Sequence, residues 1–222
     1  KNQNIEFYDD TLVVLNVKKL PFEFSENYIV KRIFDIIFSI IVCLFILTWL
    51  VPILWILVKI ESKGPLIFSQ KREGLDGRKF VCYKFRSMKL NTLSDKVHAV
   101  ENDIRVTRIG SFIRKTSIDE LPQFLNVIKG DMSVVGPRPH LPSLSSEYQK
   151  DVDDYFKRHA VKPGITGLAQ VSGYRGEIKK RSDIKNRVRL DIFYIENWSF
   201  LLDIKIILMT VFNVFKGEEN AY

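Results

Sequence analysis

The sequence predicts a mainly helical α/β fold, in which a small domain is anchored to a membrane by a re-entrant helix near the N-terminus. Three observations predict this class. An apolar run without charge covers residues 36–58, two strand-like runs at 66–70 and 79–87 form a short β-hairpin, and amphipathic helical patterns follow. The last of these, at 198–222, is expected to be an interfacial helix with a short tail.

Length and charge limit the class of protein. A chain of 222 residues holds one domain with a sizeable core, or a smaller domain with appendages. Its 34 Lys and Arg against 26 Asp and Glu give a net charge of +8, which indicates an anionic partner. The sequence holds no nucleic-acid-binding motif, so nucleic acid is disfavoured against a phosphorylated substrate or lipid headgroups.

The N-terminal residues 1–30 mix charge with short apolar runs and are expected to be a linker or the end of an upstream region. The chain begins with lysine instead of methionine, which agrees with an origin in a longer protein.

Residues 36–58 are long enough to cross the hydrocarbon core of a bilayer. Cations flank the run on both sides, including Lys31 and Lys63, so the positive-inside rule does not select an orientation. Pro52 removes a backbone hydrogen bond within the run and predicts a break or kink. We therefore expect a re-entrant helix over 31–63 with both ends on one face of the membrane; a spanning helix with a tolerated proline is the alternative.

The second strand of the hairpin is expected to present two different faces. Val81, Tyr83 and Phe85 alternate with Lys84 and Arg86. An apolar face would anchor the strand while the two cations project together. The alternative is an ordinary solvated face of an edge strand.

The stretch TSIDELPQ, residues 116–123, sets Asp119 and Glu120 side by side. Ser117 and Glu120 fit a capping box at the start of a helix over about 118–129, although Pro122 is awkward in that register. The residues alone leave two interpretations of the acids, a helix start or a chemical site.

Two segments rich in glycine and proline, 130–139 and 161–176, carry Arg138 and Arg175. Such loops suit phosphate binding and also suit ordinary turns. Seven cations lie within 175–191, where they would meet lipid phosphates or form a solvated helix face.

Several motifs together resemble the bacterial sugar transferase family, the monotopic polyprenyl-phosphate phosphoglycosyltransferases. They are KRIFDI at 31–36, YKFRSM at 83–88, TSIDELPQFLNVIKGDMSVVGPRP at 116–139, KPGITGLAQVSG at 162–173 and LDIKII at 202–207. GYRGE and ENWSF look closest to the undecaprenyl-phosphate glucose phosphotransferase branch, in which a longer N-terminal part often precedes this domain. One departure is Val51, where the family often has a serine before the proline.

The resemblance implies that a sugar 1-phosphate passes from a UDP-sugar to undecaprenyl phosphate, with release of UMP and use of Mg²⁺. It implies a ping-pong reaction in which Asp119 is the nucleophile and Glu120 contributes to the metal site. The cations at family positions are assigned to substrate phosphates: Lys84, Arg86, Arg114 and Arg138.

The same resemblance implies a catalytic domain at 64–197 on the cytoplasmic face of the bacterial inner membrane, in contact with inner-leaflet phospholipid. Such an enzyme would perform the first membrane step in making a capsule, exopolysaccharide or other glycoconjugate. A homo-oligomer is left open. The competing function is an inactive membrane scaffold of a polysaccharide assembly complex, which would not need the acids and cations together.

Overall fold

The structure is a computed structural model that describes residues 3–8, 12–17, 19–90, 103–176, 178 and 180–216. The tail at 217–222 and one cation of the basic segment, Lys179, lie outside the described residues. The helices and strands follow in the order β1 (Gln3–Tyr8), β2 (Leu12–Val17), α1 (Ser25–Val42), α2 (Thr48–Glu61), β3 (Ile67–Glu73), β4 (Lys79–Phe85), α3 (Arg108–Lys115), α4 (Gln123–Lys129), β5 (Ser133–Val135), α5 (Pro142–Asp151), β6 (Gly164–Thr166), α6 (Leu168–Val171), α7 (Arg181–Glu196) and α8 (Phe200–Lys216).

The N-terminal residues hold regular structure. Strands β1 and β2 pair antiparallel, and α1 begins at Ser25. The segment expected to be a linker therefore contains a two-stranded sheet and the first turn of the long helix.

The apolar run lies within one long helix, Ser25–Glu61, which is long and apolar enough to cross a membrane by length and composition. It comprises α1, a π-helical stretch at Cys43–Leu47, and α2. Helix α2 continues through Pro52, so the departure from α-helical geometry is at the π stretch instead.

Two side chains hydrogen-bond to carbonyls in this irregular stretch. Thr48 Oγ1 donates to the Leu44 carbonyl at 2.6 Å, and Trp49 Nε1 donates to the Phe45 carbonyl at 2.7 Å. In an apolar environment such donors matter, because no water is present to satisfy a freed carbonyl.

One stripe of the long helix is buried against the rest of the protein. Its members recur every three to five residues: Lys31, Asp35, Ser39, Val42, Leu47, Leu50, Leu54 and Val58. The five-residue step from Val42 to Leu47 spans the π stretch, whose wider turn keeps the stripe on one side. The other sides expose large apolar side chains, among them Ile37, Phe45, Ile53, Trp55 and Ile60.

Both ends of the helix are bound to the same domain. Lys31 Nζ lies 2.6 Å from Asp203 Oδ2 of α8, and this lysine is only 8% exposed. At the other end, Glu61 Oε2 accepts a hydrogen bond from the Ile109 amide of α3 at 2.9 Å. Lys31, expected to be a basic flank of the apolar run, is paired with a carboxylate inside the protein.

The predicted hairpin is confirmed, with β3 and β4 paired antiparallel. The predicted apolar face of β4 is only partly correct, since Phe85 is buried but Val81 is 37% exposed. Cys82, from the opposite face, is also buried. The two faces of β4 pack into different clusters, Cys82 with residues of α4 and Phe85 with residues of α2 and α3.

The two glycine-rich segments meet through a pair of short parallel strands, β5 and β6. Just beyond them the backbones approach too closely for side chains. A Cβ atom at Gly164 would lie 2.1 Å from the Gly136 amide nitrogen, and one at Gly167 would lie 2.2 Å from the Gly136 carbonyl oxygen. This contact fixes the start of the loop that carries Arg138.

The helix expected near the C-terminus is present as α8. Its buried side includes Asp203 and Ile206, while Leu201, Phe212 and Phe215 are exposed. The chain is thus mainly helical, with a short antiparallel hairpin and one long apolar helix compatible with membrane anchoring.

Candidate active site at a buried carboxylate pair

Asp119 and Glu120 lie on a single 3-10 turn, Ile118–Glu120, between α3 and α4. The chain enters this turn through Ser117, whose φ of 60° is in the left-handed region. Non-glycine residues adopt that conformation uncommonly, and strained residues of this kind cluster at active sites and ligand clamps. The continuous helix expected over 118–129 is interrupted, because Pro122 cannot donate a backbone hydrogen bond and α4 begins only after it.

The expected capping box is wrong. Ser117 makes no side-chain cap, and its Oγ instead accepts a hydrogen bond from Arg175 Nη2 at 2.7 Å. The Glu120 carboxylate points to side-chain cations. Both groups that fit the capping pattern are therefore used in tertiary contacts.

Three cations from distant segments surround the pair. Lys84 Nζ is 2.7 Å from Glu120 Oε1 and 3.9 Å from Asp119 Oδ2. Arg138 Nη2 donates to Glu120 Oε1 at 2.8 Å, and Arg175 Nη2 is 3.5 Å from Glu120 Oε2. The acids are 8% and 5% exposed. Strand β4 and both glycine-rich segments thus converge on the turn.

Of the two remaining cations predicted for this site, one influences the carboxylates and the other does not contact them. Arg114 is near enough to Asp119 to favour its ionised form. Arg86 instead donates to the carbonyls of Lys63 and Ser62, at 2.7 and 3.0 Å, just beyond the end of α2. The structure does not bring Arg86 into contact with the carboxylates; it joins the strand that carries Lys84 to the end of the long helix.

The carboxyl groups are neighbours with opposite pKa shifts. Burial raises the pKa of Asp119 to about 6, although Lys84 opposes the shift. Burial would also raise the pKa of Glu120, but Arg138, Lys84 and Arg175 outweigh it and hold that pKa well below its usual range. Glu120 is thus a permanent anion bound by cations, whereas the Asp119 carboxyl group is held less tightly.

Asn126, which sequence reasoning missed, aligns two of these elements. Its side chain accepts from the Tyr83 amide at 3.0 Å and donates to the Val81 carbonyl at 2.7 Å. These bonds dock α4 onto β4 beside Lys84. A polar residue at helical spacing between the apolar Phe124 and Val127 of α4 was the available signal.

Arg175 was noted only as part of a glycine-rich loop and of the basic segment. Its contacts with Ser117 and Glu120 make it part of the site. Arg187, from the same basic segment, is only 6% exposed, whereas Arg181, Lys185 and Arg189 are exposed. The basic segment therefore has two kinds of cation, and only the exposed ones fit a solvated or lipid-facing helix.

The side chains at the site can be compared with the ligands that the expected magnesium ion would need. Among the described residues, no three His, Cys, Asp or Glu side chains group as metal ligands. Mg²⁺ commonly binds one or two carboxylates and takes its remaining ligands from water and substrate phosphates. Among the described residues, Glu120 Oε2 has longer contacts than Oε1, 3.4 Å to Arg138 and 3.5 Å to Arg175. The carboxylate pair therefore fits a metal that arrives with a diphosphate, not a closed protein cage.

The buried acid pair is held by cations, on a domain whose long apolar helix is compatible with membrane anchoring. The family profile described as "Bacterial sugar transferase" matches residues 26–217. The chain belongs to the bacterial sugar transferase family.

The curated relatives include two named UDP-glucose:undecaprenyl-phosphate glucose-1-phosphate transferase. The Klebsiella pneumoniae protein is 49% identical over 200 residues, which are 88% of this chain and 42% of the relative. The Escherichia coli K12 protein is 47% identical over 194 residues, or 86% and 41%. The chain spans about two fifths of their length. A Rhizobium leguminosarum bv. phaseoli exopolysaccharide production protein is 42% identical over 190 residues, or 83% and 94%.

Proposed function

We propose that this chain is a phosphoglycosyltransferase that moves a sugar 1-phosphate from a UDP-sugar to undecaprenyl phosphate. The observation that carries the proposal is the division of roles between two adjacent buried carboxyl groups. Glu120 is bound by Lys84 and Arg138 at 2.7 and 2.8 Å, while the ion contact of Asp119 within the described residues, with Lys84, is longer at 3.9 Å. The names of the most similar relatives support glucose as the sugar.

In the first step, an ionised Asp119 oxygen attacks the β-phosphorus of the UDP-sugar. The bond between that phosphorus and the bridging oxygen breaks, and the electron pair leaves with UMP. The sugar 1-phosphate remains as an acyl phosphate on Asp119. In the second step, an oxygen of undecaprenyl phosphate attacks the same phosphorus, which releases the Asp119 carboxylate and forms undecaprenyl diphosphate sugar.

The cations supply what phosphoryl transfer needs most, which is positioned charge around the transferring group. Lys84, Arg138 and Arg175 together carry three positive charges, of which Glu120 neutralises one. The surplus favours a dianionic diphosphate beside Asp119. Arg114 adds to this field from α3.

We propose that Glu120 would hold Mg²⁺ when the UDP-sugar is bound, with substrate phosphates supplying further ligands. When bound, the ion supplies neutralisation of charge on the leaving phosphate. Lys84 and Arg138 already orient Glu120 through Oε1. These two cations would therefore position the carboxylate, while Glu120 would hold the ion.

We propose a re-entrant, monotopic position in the inner leaflet of the bacterial cytoplasmic membrane. Both ends of the long helix are joined to one domain, through Lys31 and Asp203 at one end and Glu61 and Ile109 at the other. A bilayer cannot lie between two ends that share one domain. The exposed apolar side chains of this helix and of α8 would then face lipid, and the catalytic domain would face the cytoplasm.

The function is tested by incubating purified protein with UDP-glucose, undecaprenyl phosphate and Mg²⁺, and measuring UMP. Asp119→Asn should abolish UMP release, because an amide is a poor nucleophile. Asp154→Asn is the matched control, since Asp154 is exposed and pairs only with Lys157 among the described residues. Without the lipid acceptor, intact mass should show a phosphoglucose adduct on wild type that is missing from Asp119→Asn.

An adduct that persists in Asp119→Asn would assign the nucleophile elsewhere. Absence of UMP with UDP-glucose, together with release from UDP-galactose, would correct the sugar alone. Failure with both donors would favour the scaffold.

A further inference from the structure

Three buried charges behind the site are not used in the proposed reaction. Arg187 and Asp191 lie four residues apart on α7 and therefore share one side of the helix. Arg158 comes from the 3-10 segment Tyr155–Ala160. These residues are 6%, 2% and 2% exposed, respectively.

Arg158 joins its counterion to the loop of a site residue. Its Nε and Nη2 donate to Asp191 Oδ2 at 3.0 and 2.8 Å. The same Nη2 donates to the backbone carbonyl of Arg138 at 2.6 Å. Arg138 is the residue whose side chain holds Glu120, so Asp191, Arg158, Arg138 and Glu120 form one continuous chain of polar contacts.

Arg187 makes the corresponding contact with the second loop. Its Nη2 donates to the Gly176 carbonyl at 2.8 Å, one residue beyond Arg175. Arg175 in turn contacts Ser117 and Glu120. Each site arginine on a glycine-rich segment is thus backed by a buried arginine that holds backbone at or beside it.

This arrangement is electrostatically costly. Burial lowers the pKa of Arg187 to about 10, and nearby Arg138 and Arg158 add to the effect. Asp191 and, to a smaller extent, Tyr148 oppose this lowering. For packing alone, apolar side chains of similar volume usually stabilise a core as well as buried ions do. The fixed geometry of a guanidinium, which can bond a carboxylate and a carbonyl at once, is what an apolar core lacks.

We propose that Arg158, Arg187 and Asp191 are positioning residues that hold the loops of Arg138 and Arg175 at the distance from Glu120 that donor-phosphate binding requires. This inference rests on the proposed function. It assigns to α7 a role in the reaction, although none of the three residues contacts the carboxylate pair in the described structure.

A double-mutant cycle tests the inference with UDP-glucose as the donor. Arg158→Lys keeps the charge for Asp191, but a single ammonium lacks the fork that reaches both Asp191 and the Arg138 carbonyl. We expect it to lower kcat/KM for UMP release at least tenfold in the wild-type background. In an Arg138→Lys background the same change should cost less than twofold, because it acts through Arg138.

Ser145→Ala is the control for general loosening of this region. It removes a buried hydroxyl that bonds Tyr155, and keeps the Tyr155 hydroxyl and ring that contact Arg158. We expect a lower Tm with kcat/KM within twofold of wild type. If Arg158→Lys does not fold, Asp191→Asn enters the same cycle with the same expectation.

Additive losses in the two backgrounds would overturn the inference, as would losses of activity that follow Tm equally in Arg158→Lys and Ser145→Ala. An inactive wild type would overturn the proposed function and this inference with it. An active wild type with an additive cycle would overturn this inference alone.

Discussion

The first half-reaction should depend on the ionisation of Asp119. Burial raises the pKa of this carboxyl group to about 6, and only the ionised form is a nucleophile. The rate should therefore be lost as pH falls through 6 and should be constant above it. The pre-steady-state burst of UMP from UDP-glucose, without undecaprenyl phosphate, isolates this step. Undecaprenyl phosphate is omitted because it is a phosphate monoester, and such a group also titrates near pH 6. The phosphates of a UDP-sugar are diesters and do not titrate there.

The magnitude follows from the pKa. With a midpoint near 6, about one tenth of Asp119 is ionised at pH 5 and about nine tenths at pH 7. The burst rate constant should therefore rise about tenfold between these values, with a slope approaching one decade per pH unit below the midpoint.

A matched variant tests the cause of the shift. Lys84 is the largest influence that lowers the pKa of Asp119, so Lys84→Met should move the midpoint to higher pH. Asp154→Asn, at an exposed site, should leave the midpoint unchanged. A burst that is independent of pH from 5 to 7 in wild type, or a midpoint near 4, would refute the assignment of the buried Asp119 as nucleophile.

Two other features give predictions of their own. Gly164→Ala forces a Cβ against the Gly136 backbone. We expect the free energy of unfolding to fall by about 1–3 kcal/mol and the Tm by roughly 2–12 °C, with reduced activity because the Arg138 loop moves. An unchanged Tm would show that the close approach of Gly164 to Gly136 tolerates a side chain. In a cysteine-free background, Glu26→Cys and Lys63→Cys should both resist a membrane-impermeant thiol reagent on intact cells and react after lysis, whereas labelling of Glu26→Cys alone from outside would mean that the helix spans the membrane.

Local pattern was sufficient for much of the fold. Period-two alternation and a glycine-bearing turn located the hairpin, and the apolar runs located the long helix and α8. The family motif drew attention to Asp119 and Glu120, which the structure buries next to Lys84 and Arg138.

Partners distant in sequence account for what local pattern could not predict. Ser117 fits a capping box locally, but its hydroxyl oxygen instead accepts a hydrogen bond from Arg175, 58 residues away. Arg86 has the same strand face as Lys84, yet the carbonyls beyond α2 are its partners. Lys31 has the sequence context of a topogenic flank, and only the folded chain reveals Asp203 beside it.

The ion pair between Lys31 and Asp203 also sets an order of events during biosynthesis. Its partners are 172 residues apart, and translation proceeds at about 5–20 residues per second. Lys31 is therefore synthesised roughly ten to thirty seconds before Asp203. During that interval the apolar segment must engage the membrane while Lys31 lacks its Asp203 partner, and water and headgroups can solvate that cation only near the surface. Once α8 is synthesised, the ion pair between Lys31 and Asp203 can form, and it would then hold the start of the long helix in place after that helix has inserted.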